Sequence, residues 1–136
     1  MSNNTTHVFV YGTLKRGYQN HRLLRECEYV TEGYARGCPL VDLGGYPGMI
    51  VASCDNAEFA EGEIYKLPED VRMARAILSS LDRLEQEGRL YKRVTMSIGT
   101  AGESIECITY LLMMPLRTTF VEGGCWTPST LTQETK

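Results

Sequence analysis

No apolar run in this chain approaches the roughly 20 residues that a membrane-spanning helix needs. Its first residues, Met1-Ser2-Asn3-Asn4-Thr5-Thr6, lack the basic patch and apolar stretch of a signal peptide. A cytoplasmic protein with no membrane partner is therefore expected. An excess of positive charge is also missing: 14 basic residues stand against 17 acidic ones, and the net charge of −3 offers no pull on nucleic acid. The five cysteines, Cys27, Cys38, Cys54, Cys107 and Cys125, include no close pair, which argues against a disulfide framework and a zinc site. Cys38, Cys54 and Cys107 lie in or beside apolar runs and read as small core residues. A nucleophilic cysteine would need a histidine beside it, and only His7 and His21 are present. Repeats, low-complexity tracts and linkers are absent. The 136 residues are expected to form a single domain over 1–136, with an ordered core from about 7 to 126 and a polar tail after 127 that frays.

What is present is an ordinary globular composition, 43% hydrophobic and 23% charged, which argues against disorder and leaves periodicity as the guide. His7-Val8-Phe9-Val10-Tyr11 is short, β-branched and aromatic, and reads as a buried strand. It stops at Gly12-Thr13-Leu14-Lys15-Arg16-Gly17. Asn20 is placed to cap a short helix over 21–26, with Leu23 and Leu24 facing inward. Between 29 and 51 glycine and proline recur, at Gly33, Gly37, Pro39, Gly44, Gly45, Pro47 and Gly48. Short strands joined by tight turns are expected there, with the sharpest reversal over 44–48. Residues 59–67 alternate as a strand whose apolar members are Phe59, Ile64 and Tyr65. Pro68-Glu69-Asp70 opens the longest helix, where proline suits the first turn and the acids favour the positive end of the dipole. Val71, Ala74, Ile77, Leu78, Leu81 and Leu84 recur at spacings of three and four as an apolar stripe, and Gly88 is a natural terminator. Strands over 91–98 and 105–113 follow, joined by the turn Gly99-Thr100-Ala101-Gly102. This order predicts an α+β fold around a curled sheet or small barrel.

Glu85 stands out. It lies four residues after Leu81 and seven after Leu78, so it extends the apolar stripe, whereas Glu69 and Glu87 fall on the opposite side. Burial and the negative end of the helix dipole would both raise its pKa and suit it to acid–base work near neutral pH. The same spacing also allows a helix that ends at Leu84 and releases Glu85 into water. Asp82, at the edge of the stripe, reads as a solvated or capping carboxylate. The loop after the first strand resembles an anion cradle, because Gly12 has no Cβ to block converging N–H groups. An ordinary turn is the simpler account of those residues alone. It is not a P-loop, since Tyr18-Gln19 stands where the lysine and hydroxyl residue belong, and the GxGxxG spacing is absent. Lys15, Arg16, His21, Arg22 and Arg25 form a basic cluster, most simply a solvated face, alternatively an attractor for an anionic small substrate.

The stretch Val8-Phe9-Val10-Tyr11-Gly12-Thr13-Leu14-Lys15-Arg16-Gly17, followed by Asn20-His21, resembles the N-terminal signature of the γ-glutamylcyclotransferase-like (AIG2-like) family, nearest to its γ-glutamylamine cyclotransferase branch. Gly45-Tyr46-Pro47, Glu61-Gly62-Glu63-Ile64-Tyr65, and Leu81-Asp82-Arg83-Leu84-Glu85 with Tyr91 and Arg93 continue the likeness in the family's order, from about 7 to 113. The resemblance implies a small mixed β-barrel with flanking helices. It implies cyclisation of a γ-glutamyl amine or γ-glutamyl amino acid to 5-oxoproline with release of the free amine. Glu85 would be the general acid and base. Tyr11, Gly12, Thr13 and Leu14 would hold the substrate, and Tyr91 would line the pocket. The implied partner is a small γ-glutamyl molecule, with no metal, nucleotide or redox cofactor. No face reads as an obvious interface with a second copy.

The segment between Gly48 and Phe59 departs from relatives in length and composition. Glu122-Gly123-Gly124-Cys125-Trp126 resembles bacterial members of the family, some of which lack the glutamate; this chain keeps it. Two other classes of function fit the same pocket. One is a catalytically silent protein that binds a small metabolite. The other is a hydrolase-like enzyme that uses water and releases glutamate.

Overall fold

Alternation along the first strand separates two cores. In the computed structural model, β1 (His7–Val10) sends Val8 and Val10 to one side and Phe9, with Tyr11 just beyond it, to the other. Residues 5–18, 20–38, 40–42, 47–50, 59–85, 91–112 and 119–120 are described, with backbone only at 41, 42, 119 and 120. β1 pairs antiparallel with β5 (Phe59–Lys66), β5 with β2 (Glu28–Arg36), and β2 with β6 (Tyr91–Gly99). β6 forms a hairpin with β7 (Ser104–Leu112), which returns to β1 in parallel, Val8 opposite Ile108, and closes a mixed barrel. A second sheet is built from β3 (Leu40–Asp42), flanked by β4 (Pro47–Met49) and β8 (Thr119–Phe120). Its strand β4 packs on β7.

Phe9, Ala35, Ile64, Ile98 and Cys107 come from β1, β2, β5, β6 and β7 yet form one cluster, so they fill the barrel interior. The opposite face of the wall presents Val8, Val10, Tyr65, Tyr91, Tyr110 and Leu112. Ile77 and Leu81 of α1 (Val71–Leu84) and Leu24 of a 3-10 helix (His21–Leu24) cover that face. The expected mixed barrel with flanking helices is therefore the fold found. Among the described residues, no helix is long and apolar enough to cross a membrane.

Several local expectations change. The helix begins at Val71, not at Pro68, because Asp70 is the cap: its Oδ1 accepts the N–H groups of Arg72 at 2.9 Å and Met73 at 3.3 Å. The apolar stripe is narrower than its spacing suggests. Ile77 and Leu81 are buried, but Val71 is 61% and Leu84 36% exposed, so only the middle of the stripe is buried. Residues 28–36 form one long strand, and Gly33 sits inside it against Ile64 and Ile98, where a turn was expected. The short helix spans four residues, and Asn20 does not cap it with its side chain; the amide donates to Thr13 Oγ1 at 2.8 Å. The β6–β7 hairpin is as expected, its turn closed by Thr100 and Glu103. The reversal at Gly44, Gly45 and Tyr46, the terminator Gly88, Glu87, Cys54, Cys125, the 51–58 segment, the Glu122–Trp126 stretch and the tail after 127 lie outside the described residues.

Candidate active site

The last turn of α1 decides where Glu85 goes. The helix ends at Leu84, as the solvent-facing alternative required, and Glu85 leaves helical geometry with φ −88° and ψ 0°. Its N–H still donates to the Leu81 carbonyl at 2.9 Å, so its backbone stays tied to the helix. The side chain is nevertheless half-buried rather than released into water. Burial pushes its pKa up from 4.5 to about 7. Glu85 is close enough to the phenols of Tyr11 and Tyr110 for its charge to raise both. A carboxyl that is half protonated near neutral pH can both take and return a proton.

Tyr11 sits where β1 leaves the barrel. Its hydroxyl donates to the Tyr110 carbonyl at 2.7 Å. Burial, then the neighbouring Glu85 and Tyr91, keep this phenol well above its ordinary pKa, against a backbone hydrogen bond at Met49. It therefore stays neutral and serves as a fixed hydroxyl. The loop that follows uses its carbonyls for its own shape. Gly12 O accepts the Lys15 N–H at 3.0 Å, Thr13 O accepts the Asn20 N–H at 2.9 Å, and Leu14 O accepts His21 Nδ1–H at 2.9 Å. Among the described residues, no acceptor takes the N–H groups of Gly12, Thr13 or Leu14. Leu14 anchors the loop in the same cluster as Ile77 and Leu81 of α1.

Gly12 and Tyr91 meet through a third residue. A Cβ on Gly12 would lie 2.8 Å from Cδ and Cγ of Pro47, so the proline ring can rest on the loop only because residue 12 has no side chain. The Pro47 carbonyl in turn accepts the Tyr91 hydroxyl at 2.6 Å. The six residues singled out from the sequence, Glu85, Tyr11, Gly12, Thr13, Leu14 and Tyr91, thus gather where β1, β4, β6 and the end of α1 meet.

Other expectations need correction. Asp82 is not a solvated carboxylate: its Oδ1 accepts the Tyr110 hydroxyl at 2.5 Å, and its Oδ2 lies 3.5 Å from Nη1 of Arg93. Tyr110 is a site residue that the sequence does not single out. A tyrosine in a β-rich run carries no signal of its own, although Asp82 could have been suspected from its position three before Glu85. The basic cluster divides. Lys15 is buried, with Nζ 5.4 Å from the Tyr18 ring centre, and Arg16 stacks 4.2 Å over Tyr29 while its N–H donates to Glu63 Oε1 at 2.9 Å. Arg16, Arg22 and Arg25 are exposed and match the solvated face, whereas His21 is half-buried. Cys38 and Cys107 are buried as expected, and burial raises the Cys107 thiol to about 12.

A family model described as gamma-glutamyl cyclotransferase, AIG2-like, matches residues 8–128. A gamma-glutamylaminecyclotransferase from Mus musculus is 30% identical over 120 residues, covering 76% of each chain. A Vibrio cholerae protein, provisionally named a gamma-glutamylcyclotransferase, is 34% identical over 122 residues, covering 88% of this chain and 93% of that one. The crystal structure of an AIG2-like protein from Mus musculus shares the fold with a TM-score of 0.70 at 23% identity, covering 92% of this chain and 90% of that one.

Proposed function

The chain belongs to the gamma-glutamyl cyclotransferase, AIG2-like family, and from that premise we propose that it converts a γ-glutamyl amine or γ-glutamyl amino acid to 5-oxoproline, with Glu85 moving the protons. The observation that carries this is the largely buried Glu85 carboxyl beside Tyr11, next to a loop whose N–H groups no acceptor among the described residues takes.

The substrate's α-ammonium must lose a proton before its nitrogen can attack the γ-carbonyl. A carboxylate of about 7 takes this proton about 3 kcal/mol more easily than an ordinary carboxylate of 4.5, whatever the pKa of the amine. The freed amine closes a five-membered ring, and the γ-carbonyl oxygen becomes an oxyanion. Glu85, now protonated, donates to the nitrogen of the leaving group as the old C–N bond breaks. Of the ammonium's three protons, one stays on the lactam nitrogen and two end on the released amine. The N–H groups of Gly12, Thr13 and Leu14 would stabilise negative charge on the substrate, either the oxyanion or the α-carboxylate. Because the attack is intramolecular, much of the acceleration comes from holding the folded-back conformer.

The test is 5-oxoproline release across a panel of γ-glutamyl amino acids and γ-glutamyl amines, with Glu85→Gln alongside. Product from wild type and none from the folded variant is the expected result. A panel without product, or a variant as active as wild type, would refute the assignment. Glutamate appearing in place of 5-oxoproline would point to water as the nucleophile.

A further inference from the structure

Three residues outside the substrate loop converge one turn before Glu85. Asp82, on α1, is the acceptor for two groups of the β6–β7 hairpin, the Tyr110 hydroxyl at 2.5 Å and Arg93 Nη1 at 3.5 Å. Arg93 and Tyr110 are direct cross-strand partners, so Asp82 grips the hairpin at a single rung of the ladder. The contacts are unequal. The Asp82–Arg93 pair is partly open to water, with side chains 29% and 39% exposed, and such pairs hold weakly. The Tyr110–Asp82 bond is short, part-buried and charge-assisted, the stronger kind. Burial, with Asp82 next to it, keeps the Tyr110 phenol well above its ordinary pKa, so it remains a donor.

Tyr110 also faces the other side of the site. Its backbone carbonyl takes the Tyr11 hydroxyl at 2.7 Å. One residue thus holds the end of the helix through its side chain and the start of the substrate loop through its main chain. Glu85 lies three residues beyond Asp82, where its backbone has left helical geometry, so the last turn needs an external hold to keep the carboxyl in one place.

We propose that Asp82 and Tyr110 are positioning residues that fix the Glu85 carboxyl relative to the loop of Gly12, Thr13 and Leu14, through the hydrogen bond from Tyr110 to Asp82 and that from Tyr11 to the Tyr110 carbonyl. Neither side chain touches the reacting atoms. The inference rests on the cyclotransferase function proposed above. Loosening the link misplaces the base without removing it, so the chemical step suffers while substrate binding by the loop persists.

The experiment measures kcat and KM for 5-oxoproline release, and thermal melting, in Tyr110→Phe, Asp82→Ala, Asp82→Asn and the double variant Asp82→Ala/Tyr110→Phe. Tyr110→Phe keeps the ring and the carbonyl and loses only the hydroxyl. It and Asp82→Ala are expected to lower kcat about 10- to 100-fold, the cost of a misplaced reacting group, with KM within about twofold of wild type. Asp82→Asn keeps an oxygen acceptor for Tyr110 and is expected to recover most of the loss. The double variant is expected to be no worse than the poorer single one, since both cut the same link. Wild-type kcat in Tyr110→Phe and Asp82→Asn alike, with wild type itself active, would overturn the positioning role and leave the function standing. So would losses that multiply in the double variant, or a lowered melting point with kcat unchanged. A wild type that releases no 5-oxoproline would sink the function and the positioning role together.

Discussion

Replacing the proposed acid–base residue is expected to make the protein more stable. Glu85 has a pKa of about 7 in the folded chain against 4.5 for a solvated glutamate. Between those values the native state holds a proton that the unfolded chain has lost. Stability therefore falls as pH rises through that window, the reverse of a salt-bridged carboxylate. The gap corresponds to about 3 kcal/mol once pH exceeds 7, and to about 2 kcal/mol at pH 6. The part of the side chain still open to water makes these upper figures. Glu85→Gln keeps the shape and a neutral terminal amide, so it avoids the cost of burying the charge at every pH. Its stability should match that of wild type near pH 4.5 and exceed it by up to about 3 kcal/mol at pH 8.

Urea denaturation of both proteins at half-unit steps from pH 4.5 to 8 measures this directly, because other titrating groups cancel in the difference. With an m-value of about 2 kcal/mol/M, the midpoint of Glu85→Gln should lie about 1.5 M above wild type at the alkaline end. A difference that stays flat with pH would show the carboxyl to be hydrated. A variant less stable than wild type at pH 8 would show that the charged form makes favourable contacts. Either result removes the basis for a base of pKa near 7. A dead but stabilised variant is the usual mark of a group kept for chemistry at the expense of the fold.

Two other outcomes follow from the same geometry. The kcat/KM for 5-oxoproline release should climb with pH along an acid limb centred near 7, where Glu85 loses its proton in the free enzyme; a limb near 4.5 in initial-rate measurements would contradict it. Gly62→Ala should destabilise the barrel by about 3 kcal/mol or more in denaturant titration, since its Cβ would fall 2.2 Å from the Val10 carbonyl oxygen and 2.8 Å from the Phe9 ring, a severe case of overpacking.

What could be read from the residues was mostly local. The stripe of Ile77, Leu78 and Leu81 revealed α1, and alternation revealed the β6–β7 hairpin, because each depends on neighbours within a few positions. The barrel and the family came from the ordered set of motifs. Where local signals have two meanings, the structure takes the less common one. Gly33 signals a turn, but it is the point where β2 passes close to Ile64 and Ile98. Asn20 carried a capping signal and spent its amide on Thr13. Lys15 carried the signal of a solvated charge, yet the fold of the loop buries it. Glu85 is the instructive case: the helix boundary that should have released it into water is the one found, yet the side chain stays half-buried near the phenols of Tyr11 and Tyr110.

The contacts that shape the site span 28 residues between Asp82 and Tyr110, and 99 between Tyr11 and Tyr110, and no window of sequence holds both ends. They depend on how the barrel closes. β1 and β7 run parallel with Val8 opposite Ile108, so three residues beyond one and two beyond the other the chains still lie side by side, and Tyr11 meets the Tyr110 carbonyl. An antiparallel closure through the same pair would carry the two tyrosines apart. Register matters as much as direction. Odd-numbered residues of β7, such as Cys107, face the barrel interior, while Tyr110 and Leu112 face α1. A slip of one residue would turn the Tyr110 ring inward and leave Asp82 with the weak Arg93 contact alone. The interior packing of Phe9, Ile64, Ile98 and Cys107 resists that slip. Through it, a core with no chemistry of its own keeps Tyr110 turned toward Asp82, one turn before Glu85.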